Sequence, residues 1–123
     1  MRSRTCENPR MSCLFCRIIA GEIPAAKVYE DDRLVAFNDI NPQAPSHFLV
    51  VPRDHIDTLN ALSPEHDALV GEMVRRAAAL AAERGYGASG YRTVFNCQAD
   101  AGQTVFHIHL HVLAGRKLSW PPG

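Results

Sequence analysis

Val105-Phe106-His107-Ile108-His109-Leu110-His111-Val112-Leu113 alternates histidine with apolar residues through its centre. Period two is the mark of a half-buried β-strand, because successive side chains leave on opposite faces. At a rise of about 3.3 Å per residue, such a strand sets His107, His109 and His111 in a row about 6–7 Å apart from one to the next. Ile108, Leu110 and Val112 then point to the opposite face. An α-helix would scatter the three imidazoles around its circumference. One or two histidines on a strand are ordinary solvated polar residues. Three in strict alternation, directly after Gly102-Gln103-Thr104, read as a functional ridge.

Working outward, the remaining elements carry their own signals. Ser12 is positioned to cap a short helix over about residues 13–20, with Phe15, Ile18 and Ile19 as its apolar side and Gly21 ending it. Lys27-Val28-Tyr29-Glu30 and Leu34-Val35-Ala36-Phe37 read as a hairpin around Asp31-Asp32-Arg33. Asn38 to Ser46 is a loop broken by Pro42 and Pro45, and His47 to Val51 is an apolar strand stopped by Pro52. Ser63-Pro64 opens a long helix, with Leu69, Val70, Met73, Ala77, Leu80 and Ala81 as its apolar stripe and Gly85 as its end. Arg75, Arg76, Glu83 and Arg84 read as its solvated edge, and His66 in its first turn is expected to be exposed. Tyr91 to Asn96 is a strand, followed by a loop over residues 98–103. The expected architecture is α+β: five antiparallel strands with one short and one long helix, one sheet face covered by the long helix and the other open for a site.

Bulk properties set limits on function. A chain of 123 residues is one domain, here residues 13–123, with residues 1–12 expected to be a flexible tail. Thirteen basic and thirteen acidic residues give a formal net charge of zero and a pI near 7.0. A general nucleic-acid binder or an anionic-membrane binder needs a basic excess, so neither is expected. A phosphate ligand would be held by local dipoles and imidazoles instead. No apolar run approaches the roughly 20 residues of a membrane span. Arg2, Arg4 and Arg10 are followed by no apolar core, so no secretory signal is expected, and a reduced cytoplasmic setting follows. In that setting Cys13-Leu14-Phe15-Cys16 reads as metal or redox chemistry. Two thiols at i and i+3 share a helical face and suit two ligands of a tetrahedral zinc ion, which needs two more. A reduced buried pair and a disulfide formed on oxidation are the competing readings. Cys6 belongs to the tail, and Cys97 is expected to point away from the site.

The chemistry of the ridge is nucleophilic. An unprotonated imidazole can attack phosphorus and carry the phosphoryl group covalently, with neighbouring groups stabilising charge. Thr104 adds a hydroxyl beside the ridge, and Gly102 lets backbone N–H groups approach an anion, although Gly102-Gln103 also reads as a plain hairpin turn.

His-Ile-His-Leu-His-Val-Leu resembles the motif of the histidine triad (HIT) superfamily. Phe15 to Pro24, Val28 to Pro52, Gly90 to Asn96 and Gly102 to the ending Ser119-Trp120-Pro121-Pro122-Gly123 are similar to its nucleotide-binding branch. The resemblance implies a HIT-like fold and a homodimer whose sheets join into one. It implies His109 as nucleophile, His111 as phosphate contact, and His47 as support for the catalytic histidine. Asn96, Gln103 and Thr104 match contacts to the α-phosphate and the leaving group, and Asp39 matches the residue that binds the ribose hydroxyls. Phe15, Ile18, Phe37, Ile40 and Leu49 match an apolar purine slot; without the resemblance their spacing reads as ordinary core. Trp120 is implied to reach the partner subunit's site. Some bacterial relatives resemble this chain in a zinc site, which would fall here on Cys13, Cys16, His55 and His107 and would be structural. The implied activity is hydrolysis of purine nucleoside phosphoramidates, AMP or GMP joined to an amine, through a nucleotidyl-histidine and without a metal in the chemistry. A dinucleoside polyphosphate hydrolase and a non-catalytic nucleotide- or zinc-binding adaptor are the alternatives. The nucleotidyltransferase branch is disfavoured, because His111 stands where that branch has glutamine.

Overall fold

The apolar strands pair into one antiparallel sheet, seen in a computed structural model that describes residues 13–123. The expected tail over residues 1–12, including Cys6 and the Ser12 cap, lies outside the described residues. In chain order the elements are α1 (Leu14–Ile19), β1 (Lys27–Glu30), β2 (Leu34–Asn38), β3 (Ser46–Pro52), α2 (Asp67–Glu83), β4 (Tyr91–Phe95) and β5 (Leu110–Ala114). Single 3₁₀ turns lie at Leu59–Ala61, Pro64–His66 and Ala99–Ala101. The sheet order is β1-β2-β3-β5-β4, so the expected α+β architecture is present, with β3 and β5 at its centre. No helix among the described residues is long and apolar enough to cross a membrane.

Alternation sorts the central strands into two faces. Leu34, Ala36, Phe48, Val50, Leu110 and Val112 face α2, where Leu69, Met73, Ala77, Leu80 and Ala81 complete a core; Val70 of the predicted stripe is only half-buried. Each of the larger side chains among these, from Val to Phe, stabilises the fold by about 1.5–3 kcal/mol on burial. Val35, Phe37, Leu49 and Val51 face the other way and pack under Phe15 and Ile18 of α1. Register brings the site residues together on this second face. Phe37 pairs with Leu49, Leu49 with His111, and His111 with Val94 on its other side. Asp31 closes the β1–β2 hairpin, its Oδ1 accepting from the N–H groups of Arg33 at 2.8 Å and Leu34 at 2.9 Å.

The histidine stretch corrects the reading of a single uniform strand. β5 begins only at Leu110, and residues 105–109 are irregular. The cause lies on β3. Leu110 pairs with Val50, so Ile108 would next pair with Pro52, which has no N–H to extend the ladder. Ile108 N–H donates instead to the Ile56 carbonyl at 2.8 Å, and the Pro52 carbonyl is taken by the His107 ring at 2.8 Å. Ile108 still enters the helix-side core, but His107 is turned into the interior and is 0% exposed.

Three smaller expectations also change. Cys13 caps α1, its Sγ accepting from Cys16 N–H at 3.4 Å. His66 is buried rather than exposed: its Nδ1 accepts the Ser63 N–H at 3.0 Å, the part usually played by Glu or Gln in a capping box. Arg84 is no solvated edge. Its guanidinium donates to Ser46 Oγ and to Asn38 Oδ1, each at 2.8 Å, and lies 4.9 Å from the Phe48 ring centre. The last turn of α2 is thereby pinned to β2 and β3. Arg76 similarly covers the Tyr29 ring at 4.1 Å.

Candidate active site

A cleft of about 400 Å³ opens on the sheet face opposite α2. Phe15, Ile18, Phe37 and Leu49 belong to the second core and also wall this cleft, so the core reading and the slot reading are both correct for them. Ile40 is 95% exposed and stands at the mouth. Asp39 lies beside it. His109, His111, Asn96, Gly102 and Thr104 line the cleft too, and the Asp39 carboxylate lies within 4.8 Å of a His111 ring nitrogen. Gly102 has a φ of +87°, which ends the Ala99–Ala101 turn in the left-handed region and favours glycine there.

Hydrogen bonds fix the ring states of the histidines. Nδ1 of His109 lies 2.8 Å from the His107 carbonyl. A carbonyl only accepts, so Nδ1 carries the hydrogen and the lone pair is on Nε2. Burial holds this imidazole below its ordinary pKa, opposed by the same carbonyl. The edge of Phe15 packs on it, the ring centroids 4.9 Å apart and nearly perpendicular. A second chain runs through His47. Gln43 N–H donates to His47 Nδ1 at 3.0 Å, so the His47 hydrogen is on Nε2. That nitrogen lies 2.9 Å from His111 Nδ1 and 3.5 Å from Asp39 Oδ2. His111 Nδ1 is therefore an acceptor, and its own hydrogen sits on Nε2. Burial, then the neighbouring His109 and His47, lowers the His111 pKa to about 4. His47 is also lowered by burial, with Asp39 pulling the other way. The two neighbouring imidazoles, centroids 4.9 Å apart, are thus distinguished by tautomer. His109 presents a lone pair and His111 an N–H.

Two predicted contacts are not brought into the cleft. Gln103 is buried and fully engaged in its own loop: Nε2 donates to the Asp57 and Val105 carbonyls at 2.9 and 3.2 Å, and Oε1 accepts Gln98 N–H at 2.9 Å. Its backbone N–H is bonded to the Gln98 carbonyl as well. Trp120 is 81% exposed and does not line the cleft of its own chain. His47 stands behind His111 rather than on the cleft wall. Leu14, Ile23, Pro24, Ala25 and Val105 line the cleft and were not anticipated. The signal available was an apolar triplet, Ile23-Pro24-Ala25, in a connection where polar residues are usual.

Cys13, Cys16, His55 and His107 form a compact group whose ligand atoms all lie within 4.8 Å of one another. The His107 Nε2 is bonded to the Pro52 carbonyl and the His55 Nε2 to the Asp57 carboxylate. Both acceptors place the hydrogen on Nε2 and aim the Nδ1 lone pair at the cysteines. Sγ of Cys13 and of Cys16 lie 3.6 and 3.5 Å from His107 Nδ1, and Cys16 Sγ lies 3.1 Å from His55 Nδ1. A tetrahedral zinc with Zn–S of about 2.3 Å and Zn–N of about 2.1 Å has an S···N edge of about 3.6 Å. Spacing therefore fits zinc, and the donor set fits it once Cys16, disulfide-bonded in this structure, is reduced to a thiolate. Burial lowers the His107 pKa to about 4, the neutral state that a ligand requires.

Residues 12–119 match the family model described as "Scavenger mRNA decapping enzyme C-term binding". An uncharacterised HIT-like protein of Synechocystis is 52% identical over 110 residues, 89% of this chain and 96% of that protein. The purine nucleoside phosphoramidase of Escherichia coli K12 is 46% identical over 105 residues, 85% of this chain and 88% of the relative. Among solved structures, a HIT family hydrolase from Legionella pneumophila aligns with a TM-score of 0.89 at 50% identity, covering 90% of this chain and 99% of that one. A zinc-bound histidine triad family protein from Mycobacterium smegmatis aligns with a TM-score of 0.76 at 42% identity, covering 89% and 81%. With the motif, the five-stranded sheet and these matches in agreement, the chain belongs to the histidine triad superfamily.

Proposed function

We propose that this protein hydrolyses purine nucleoside phosphoramidates, releasing a nucleoside monophosphate and an amine. The observation that carries the reading is the tautomer of His109. Its Nδ1–H is held by the His107 carbonyl, so Nε2 offers a lone pair into a cleft with an apolar end and a carboxylate beside it. A cleft of about 400 Å³ is within the range of small-molecule sites. The apolar slot of Phe15, Ile18, Phe37, Ile40 and Leu49 takes the purine, and Asp39 the ribose hydroxyls.

His109 Nε2 attacks the α-phosphorus and forms the phosphorus–imidazole bond. The substrate P–N bond breaks with its electron pair on the amine nitrogen, which takes a proton from solvent. His111 Nε2–H, Asn96 and the Thr104 hydroxyl stabilise the phosphoryl oxygens. Water then attacks phosphorus, the phosphorus–imidazole bond breaks, a proton returns to solvent and neutral His109 is restored. The His107 carbonyl steadies the imidazolium that exists between the two steps. The similarity to the Escherichia coli phosphoramidase supports the substrate class.

In the reduced protein Cys13, Cys16, His55 and His107 would hold a structural zinc. It would neutralise the thiolates and brace α1 against the start of the histidine segment. No catalytic step needs it. Two chains would pair as a homodimer, with Trp120 of each reaching toward the other's cleft. The test of the activity is turnover of an adenosine phosphoramidate against diadenosine substrates, with His109→Ala as control. Release of AMP from the phosphoramidate by the native chain and none by the variant is expected. Full activity in the variant, or preference for the diadenosine compound, overturns the reading.

A further inference from the structure

A second pocket, of about 440 Å³, adjoins the cleft and shares Leu14, Thr104 and Val105 with it. Cys13 and His55 of the Cys/His cluster line it, together with Asp57 and Phe106. Thr104 stands at the shared boundary; it lines the cleft together with His109 and His111, and the proposed mechanism sets its hydroxyl on the phosphoryl oxygens. For a nucleotide seated with its base on Phe15 and Phe37 and its phosphorus at His109, the adjoining pocket gives one open direction for the remaining phosphorus substituent. That direction leads past Thr104 into the second pocket.

The wall of this pocket is chemically distinctive. Asp57 is 58% exposed, and among the described residues it is the only acidic side chain lining it. One carboxylate oxygen accepts from His55 Nε2; among the described residues no partner engages the other. Phe106, 44% exposed, and Val105 and Leu14 offer apolar surface for a hydrocarbon chain. Among the described residues no Lys or Arg lines the pocket to offset the carboxylate. With a formal net charge of zero, the molecule has no overall field to select ligands by sign, so selection must be local.

We propose that this pocket is the leaving-group subsite and that Asp57 makes it selective for amines bearing a second positive charge a few carbons from the P–N bond, as in an alkyl diamine. The inference rests on the phosphoramidase reading and adds to it the class of amine. A leaving group carrying negative charge, such as a nucleoside diphosphate, meets the same carboxylate and is disfavoured.

The experiment compares three AMP phosphoramidates of similar length in the full chain: one made from 1,5-diaminopentane, one from pentylamine and one from 6-aminohexanoate. The expected order of kcat/KM is cationic above neutral above anionic. Asp57→Asn keeps an acceptor for His55 and removes the charge. It should lower the cationic-to-neutral ratio by about 2- to 5-fold, the span of an exposed ion pair. Asp57→Glu should restore the ratio, and 0.5 M salt should shrink it in the native chain. Metal content measured beside each variant separates a charge effect from a disturbed Cys/His cluster. Hydrolysis of all three with a ratio unmoved by Asp57→Asn, or a fall equal for cationic and neutral substrates, overturns the subsite alone. No hydrolysis of any of the three overturns the phosphoramidase reading and this inference with it.

Discussion

The carbonyl of His107 accepts the Nδ1–H of His109 at 2.8 Å, while the ring of the same His107 is turned away toward Cys13 and Cys16. One residue thus faces two centres, with its backbone toward the proposed nucleophile and its side chain toward the cysteines. His109→Ala removes the group that becomes covalently bonded, and kcat/KM for a phosphoramidate should fall by at least ~10³-fold. Rapid-quench mass spectrometry of the native chain should find the nucleotide on the peptide that bears His109. A nucleotide found on another residue would refute the assignment.

His47 acts through His111. Its Nε2–H fixes the His111 tautomer from 2.9 Å, and Gln43 N–H fixes His47 in turn. His47→Ala frees His111 to place its hydrogen on either nitrogen. By analogy with residues that orient ligands from behind, kcat should drop about 10- to 100-fold, with KM little changed and the fold retained by circular dichroism. An unchanged kcat would show that the tautomer of His111 is set elsewhere.

Acid behaviour follows from burial. His109 and His111 titrate below the ordinary histidine value of 6.5, His111 near 4. The folded chain therefore binds fewer protons than the unfolded chain between about pH 6.5 and 4. Their contribution to stability is complete above pH 6.5 and is lost as pH falls toward 4. Melting temperature should decline through this window. The acid limb of kcat/KM should also lie below pH 6.5. Histidine Cε1–H resonances followed by NMR check it directly, and a His111 midpoint at or above 6.5 would contradict the burial account.

Zinc should copurify at one equivalent per chain under reducing conditions, measured by elemental analysis. Cys13→Ser or His55→Ala should lose it. A strong chelator should lower the unfolding free energy by about 3–4 kcal/mol if free zinc stood near a thousandfold above its dissociation constant. Retention of full metal content by both variants would place zinc elsewhere.

Arg84 is the test of the helix-to-sheet clamp. Arg84→Ala removes two hydrogen bonds, leaving Ser46 Oγ and Asn38 Oδ1 without their donor. A loss of about 1–3 kcal/mol is expected in urea unfolding. A loss below 0.5 kcal/mol would return Arg84 to the solvated edge.

Periodicity made much of this molecule legible. The short apolar runs of Leu34–Asn38 and Ser46–Pro52 and the helical stripe from Leu69 to Ala81 recovered the sheet and its long helix. Patterns of that kind report a face that must be buried, and burial dominates here. What periodicity could not report was where a ladder stops. The irregular path of residues 105–109 depends on Pro52, fifty residues away and on another strand. His66 was misread, and Gln103 is held outside the cleft lining, for a related reason. Each is a polar side chain whose partners are backbone groups brought near by folding, and residue type alone does not distinguish a capping imidazole or a loop-bracing amide from a ligand-binding one. The second pocket was invisible because Asp57 and Phe106 lie in separate irregular segments.

Three histidines that look interchangeable in sequence become three different instruments because of a missing N–H at Pro52. Had the sheet continued, symmetry would have given His107, His109 and His111 the same surroundings. The proline breaks that symmetry once. An interior imidazole, a nucleophile in waiting and a donor at the head of a strand follow in order along five residues.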